Sequence, residues 1–115
     1  MSDLARSACV PCRGGVPPLT PAEVAPLLSE VPEWSVEESE GVPRLRREFR
    51  FPDFRSAMAF AVRVGEVAEA EQHHPDLHVA WGRVVVETWT HKIRGLHRND
   101  FVLAAKIDAV ASRAS

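Results

Sequence analysis

Between Arg44 and Phe51 the chain reads RLRREFRF. Leu45, Phe49 and Phe51 fall on one parity, and Arg44, Arg46, Glu48 and Arg50 fall on the other. Successive side chains of an extended chain point to opposite faces, so this is a strand with one dry and one wet side. Parallel sheets are covered on both faces; a half-wet strand therefore belongs in an antiparallel sheet. Upstream, EWSVEE around Trp34 and Val36 supplies a partner strand across a GVP turn. Downstream, a short strand near His78 to Trp81, a turn at Gly82 and Arg83, and the β-branched run VVVETWT make a second hairpin.

Helices punctuate these hairpins. Thr20 is a natural N-cap, Pro21 suits the first helical position, and Glu23 completes a capping box. Leu19 and Val24 are spaced for a hydrophobic staple, with Val24, Leu27 and Leu28 facing the core. Pro26 strains this helix and Pro32 ends it. Asp53 caps a second helix over roughly 54–72, with Phe54, Met58, Ala61, Gly65 and Ala68 near one stripe and Phe60, Val64 and Val67 beside it. A third runs from about Asn99 to Ala111, with Leu103, Ile107, Val110 and Ala111 inward. The order helix-strand-strand-helix-strand-strand-helix predicts an α+β domain: a four-stranded antiparallel sheet with three helices packed on one face.

The 115 residues suit one domain, 19–115, behind an irregular N-terminal arm, 1–18, rich in Gly, Pro and Cys. The formal net charge of -2 and the lack of a basic block argue against a nucleic-acid partner. No apolar run approaches the roughly 20 residues of a membrane span, and no signal-peptide core opens the chain, so a cytoplasmic protein without a membrane partner is expected. Cys9 and Cys12 form half of a zinc site, with no second pair to complete it. The expectation is a loose tail with reduced thiols.

Four of the five histidines, His73, His74, His78 and His91, lie within about twenty residues. His73 and His74 precede Pro75, which cannot continue a helix, so the pair stands at a helix end. His91 follows a strand that can return beside that end. Three imidazoles around one cleft admit three readings. Histidine is the commonest metal ligand, but the spacing is not the i, i+4 pair of a helical zinc site. It also exchanges protons near neutral pH, which suits a catalytic acid and base. Or the three are polar surface residues without a role.

Glu69, His73-His74-Pro75, Trp81, His91 and Asp100, together with the segments GGVPPLT, PEW, EAEQHHPDL, THKIRGLHRNDF and AAKID, resemble the bacterial branch of the pterin-4a-carbinolamine dehydratases over nearly the whole chain. The resemblance implies the same α+β fold and a role in pterin recycling. Such enzymes remove water from 4a-hydroxytetrahydrobiopterin, left by aromatic amino acid hydroxylases, to give the quinonoid dihydropterin. It implies that His73 and His91 act as the acid–base pair and that His74 mainly holds the pterin. Glu69, Trp81, Thr90 and Asp100 line or support the substrate site. It implies no metal and no cofactor beyond the pterin substrate, and a homodimer or homotetramer. Trp89 shares a strand face with His91 and either walls the ring or only packs. Leu77, Lys92 and His97 depart from the animal-type pattern, His97 standing where a Thr cap is usual. Two alternatives remain: a non-enzymatic dimerisation cofactor or assembly module on the same fold, and a small metalloenzyme.

Overall fold

The protein is described here by a computed structural model that covers residues 3–10 and 15–114; Cys12 lies outside them. Helix α1, Pro21–Leu28, starts on the expected box: the Thr20 hydroxyl accepts from the Glu23 N–H, and the Glu23 carboxylate accepts from the Thr20 N–H. Strand β1, Ser35–Ser39, turns into β2, Val42–Arg50. Helix α2, Phe54–Glu71, leads to β3, Asp76–Ala80, and β4, Arg83–Thr88. Helix α3, Arg98–Ala114, closes the chain.

All pairs are antiparallel, in the order β1-β2-β4-β3. The β3–β4 turn falls at Trp81 and Gly82, one residue earlier than expected. Gly82 has φ +70°, and a Cβ there would lie 2.9 Å from the Phe51 carbonyl, whose residue pairs with this turn. Only glycine suits both constraints.

The alternation in β2 works out as expected. Leu45 and Phe49 are buried with Val84 and Val86 of β4 beneath the helices. On the opposite face Arg46 lies near Glu37, Glu48 and Glu87, and Arg44 near Glu87. Partly exposed pairs at these separations add little stability each, but they keep that face polar.

Helix α2 buries a different stripe from the one expected. Ala57, Phe60, Ala61, Val64 and Ala68 face inward, whereas Phe54 and Met58 are 47% and 41% exposed. Ala61 and Ala68 belong to both stripes. The large side chain that fits the sheet settles the rotation: Phe60 lies 4.7 Å from Phe49 and 5.1 Å from Phe51, ring centre to ring centre.

Helix α3 is buried over more of its circumference than a surface helix, with Phe101 through Ala105 and Ile107 all inside. It needs cover on several sides. Helices α1 and α2 and strand β2 supply part of it, and the arm supplies the rest. Residues Asp3–Arg6 form a 3-10 turn packed on α3, and Leu4 is 1% exposed within the core. The described part of the arm is thus docked rather than loose. Among the described residues, no helix is long and apolar enough to cross a membrane.

Candidate active site

Chain topology brings the histidines together. Strand β3 leaves the C-terminal end of α2, and β4 runs back along it, so the exit of β4 returns to that helix end. Helix α2 stops at Gln72, whose φ of 55° is left-handed, and the His73 N–H closes the end on the Ala68 carbonyl. This frees His73 and His74 from helical spacing before Pro75 is reached. After β4, Thr90 pairs with Gly95 in a tight loop that holds the 3-10 turn His91–Ile93. A Cβ on Gly95 would lie 2.7 Å from the Pro18 side chain, so glycine lets the segment before α1 pack directly on this loop.

His73, His74 and His91 line one cleft of about 300 Å³ with Val10, Gln72, Trp89, Thr90 and Lys92. A wider groove of about 730 Å³ between the arm, α2 and α3 holds Glu71, Lys106 and Asp108 but no histidine.

Asp100 organises this cleft from beneath. It is fully buried in the first turn of α3, where the helix dipole favours a carboxylate. Its Oδ1 receives the Thr88 hydroxyl at 2.7 Å, and its Oδ2 receives the Thr90 hydroxyl at 2.9 Å and the His97 N–H at 3.0 Å. His73 Nε2 lies 2.7 Å from Oδ1. A carboxylate only accepts, so Nε2 donates and Nδ1 is left as the nitrogen for a ligand. This bond fixes the ring and its tautomer, while the His73 side chain keeps 11% exposure.

His91 is held differently. Its ring stacks on Trp89 at 4.4 Å between centres, and the Arg44 guanidinium lies 3.9 Å from the centre of the same indole. Trp89 thus both packs and borders the cleft. His74 is more exposed and its Nε2 lies 2.5 Å from Glu69, which is itself largely in solvent. His97 takes the cap position in its own way: its Nδ1 accepts from the Asn99 N–H at 3.0 Å.

Most of the expected site residues meet, though not in one manner. Glu69 reaches the cleft through His74. Asp100 lies under it, and Thr90 both lines it and points its hydroxyl at Asp100. Trp81 does not join them. It is 74% exposed at the β3–β4 turn, the far end of the strands from His91. At about 3.3 Å per residue, β4 carries it some 20 Å away. Among the described residues no three His, Cys, Asp or Glu side chains are arranged to hold a metal ion.

Three residues escaped the sequence reading. Val10 and Gln72 reach the cleft through backbone placement, which leaves no signal in residue type. Arg47 shares the parity of Leu45 and Phe49, a visible anomaly in the alternation. Its guanidinium pairs with Asp108 at 2.6 Å and lies over the Phe49 ring, and the Trp34 indole N–H donates to the same carboxylate at 2.8 Å. Burial pushes the Asp108 carboxyl up despite these donors.

Comparison with known proteins gives the family. The family model described as Pterin 4 alpha carbinolamine dehydratase matches residues 17–110, and the chain belongs to that family. A protein of Gloeobacter violaceus provisionally named pterin-4-alpha-carbinolamine dehydratase 1 is 55% identical over 111 residues, which cover 96% of each chain. A Chlorobium limicola protein with the same provisional name is 56% identical over 106 residues, covering 92% of this chain and 94% of that one. The crystal structure of a "transcriptional coactivator/pterin dehydratase" from Brucella melitensis superposes with a TM-score of 0.73 at 32% identity, over 82% of this chain and 98% of that one. A pterin dehydratase-like RuBisCO assembly factor of the alpha-carboxysome shares the fold, with a TM-score of 0.58 at 20% identity over 69% of this chain and 89% of that one.

Proposed function

We propose that this protein dehydrates 4a-hydroxytetrahydrobiopterin to the quinonoid dihydropterin, recycling the pterin of aromatic amino acid hydroxylases in the cytoplasm by histidine acid–base catalysis. The observation that carries the reading is the meeting of His73, His74 and His91 in one cleft, with His73 anchored on Asp100. The reaction breaks the C4a–O bond and removes the N5 proton, so that C4a=N5 forms and water leaves. One imidazole gives its proton to the departing hydroxyl and another group takes the proton from N5. His73 and His91 share this work, and His74, tied to Glu69, binds the ring. Every proton has a place on a side chain of this protein, so neither a metal nor a further cofactor enters the scheme.

The test is a dehydration assay with 4a-hydroxytetrahydrobiopterin, compared with the spontaneous rate and with His91→Ala. The reading requires acceleration by the wild-type protein that His91→Ala largely removes. Dehydration at the spontaneous rate by the wild type would contradict it.

The protein works as a homodimer or homotetramer in this proposal. Phe54, Met58 and Val62 recur every four residues on α2 and are 47%, 41% and 58% exposed. This apolar stripe fits the same stripe on a second copy. It also favours a second reading, a dimerisation or assembly module, which would survive loss of the histidines.

A further inference from the structure

The N-terminal arm reaches the histidine cleft and is tied there by its backbone. The Val10 N–H donates to Asn99 Oδ1 at 2.9 Å, and Asn99 Nδ2 donates back to the Val10 carbonyl at 2.6 Å. A primary amide presents an acceptor and donors side by side, so it grips one extended residue as a neighbouring strand would. Asn99 is only 3% exposed at the start of α3, and both its amide atoms are used on Val10. One residue earlier, the Cys9 N–H donates to Glu71 Oε1 at 2.8 Å and the thiol lies 3.5 Å from the Asn99 carbonyl. Further upstream, Lys106 Nζ donates to the Ala5 carbonyl at 3.1 Å, and Leu4 is sunk in the core.

The consequence is local to the cleft. Val10 keeps 56% exposure and lines the cleft beside His73, Trp89 and His91, an apolar side chain among polar neighbours. The described arm lies ahead of the residues that match the family model. A segment that merely braced α3 would have no need to present a side chain to the cleft.

We infer that the arm is a fixed wall of the substrate cleft, in which Val10 is a specificity-determining contact for the pterin ring system and Asn99 is the positioning residue that holds it. The identity of the ligand rests on the dehydratase reading above; the wall itself does not.

The test uses the full chain carrying Val10→Gly, a change at an exposed position that leaves the core intact. KM and kcat are measured with 4a-hydroxytetrahydrobiopterin. Diethyl pyrocarbonate acylation is followed at each histidine by mass spectrometry in the same preparations. KM should rise about three- to ten-fold, the scale of a partly buried valine, with kcat within about two-fold. His73 and His91 should be acylated about three-fold faster or more, while His78 on the open sheet face keeps its rate. Asn99→Leu should change both readouts in the same direction, and Val10→Gly should then add little, because the two act through one wall. Unchanged acylation of His73 and His91 in Val10→Gly would overturn the wall. Faster acylation with an unchanged KM would overturn the role of Val10 in specificity. A wild-type protein without dehydratase activity would sink the functional reading instead, and the acylation pattern would still decide on the wall.

Discussion

In the proposed reaction His73 has one nitrogen with which to exchange a proton with a ligand, because Asp100 holds the other. Replacing Asp100 by Asn keeps the shape but lets the side chain donate where it only accepted, which favours the wrong tautomer. A hydrogen bond to a charged group contributes about 1.5–3 kcal/mol, so Asp100→Asn should lower kcat by about ten- to a hundred-fold. An altered pH profile, with folding checked by circular dichroism, separates this from simple loss of structure. Cys9 gives a second expectation at this scale. Burial first, and then the charge of Glu71, push its thiol up to about 12. The neutral thiol is the folded form, so the native state loses stability as pH rises from the ordinary 9.0 toward that value. At pH 8 the thiolate is scarce, and iodoacetamide should label Cys9 far more slowly than a free thiol. Labelling at the free-thiol rate would contradict the docked arm. The histidines stood out in the sequence because their residue type carries chemistry, and Asp100 came with them only through the family resemblance. The clasp of Asn99 on Val10 was not, since it joins backbone atoms to a side chain 89 positions away.

At the scale of elements, punctuation was readable and rotation was not. Thr20 and Asp53 both cap as their residue types require. The Ser56 N–H, bound to the Asp53 carboxylate at 2.7 Å, holds that carboxyl below its ordinary 3.8. A lowered folded value means that the ionised cap stabilises the fold above the unfolded value, and that this stability is lost as pH falls through the folded value. Asp53→Ala should therefore lower Tm at pH 7 and flatten the part of the acid-side Tm profile due to this cap, as measured by thermal unfolding. An unchanged profile would count against the cap. The stripe of α2 could not be settled from periodicity alone, because Ala61 and Ala68 fit two rotations. The packing of Phe60 on Phe49 and Phe51 chose between them and left Phe54 and Met58 outside. Trp81 was placed at the hairpin turn by the sequence and at the substrate site only by the family resemblance; the structure keeps it at the turn, 74% exposed and away from the histidine cleft.

The whole molecule joins two hairpins through β2 and β4, and that pairing sets the positions of the cleft and of the exposed stripe. The antiparallel sheet followed from the alternation in β2 and the α+β class from the order of the elements, whereas the docking of the arm depends on α3 needing cover that the sheet does not provide. The stripe of Phe54, Met58 and Val62 predicts that sedimentation equilibrium at micromolar concentration finds two or four copies, and that Met58→Asp shifts them toward monomer. A monomeric wild type would refute this assembly. The central claim is that His73 and His91 divide one proton-transfer reaction, and steady-state dehydration of 4a-hydroxytetrahydrobiopterin by His73→Ala, His91→Ala and the double variant tests it most directly. A positioned acid or base contributes about 10²–10⁴-fold, so each single change should lower kcat within that range. The double variant should fall to near the spontaneous rate. His73→Ala/His91→Ala protein that kept the wild-type kcat would contradict the account.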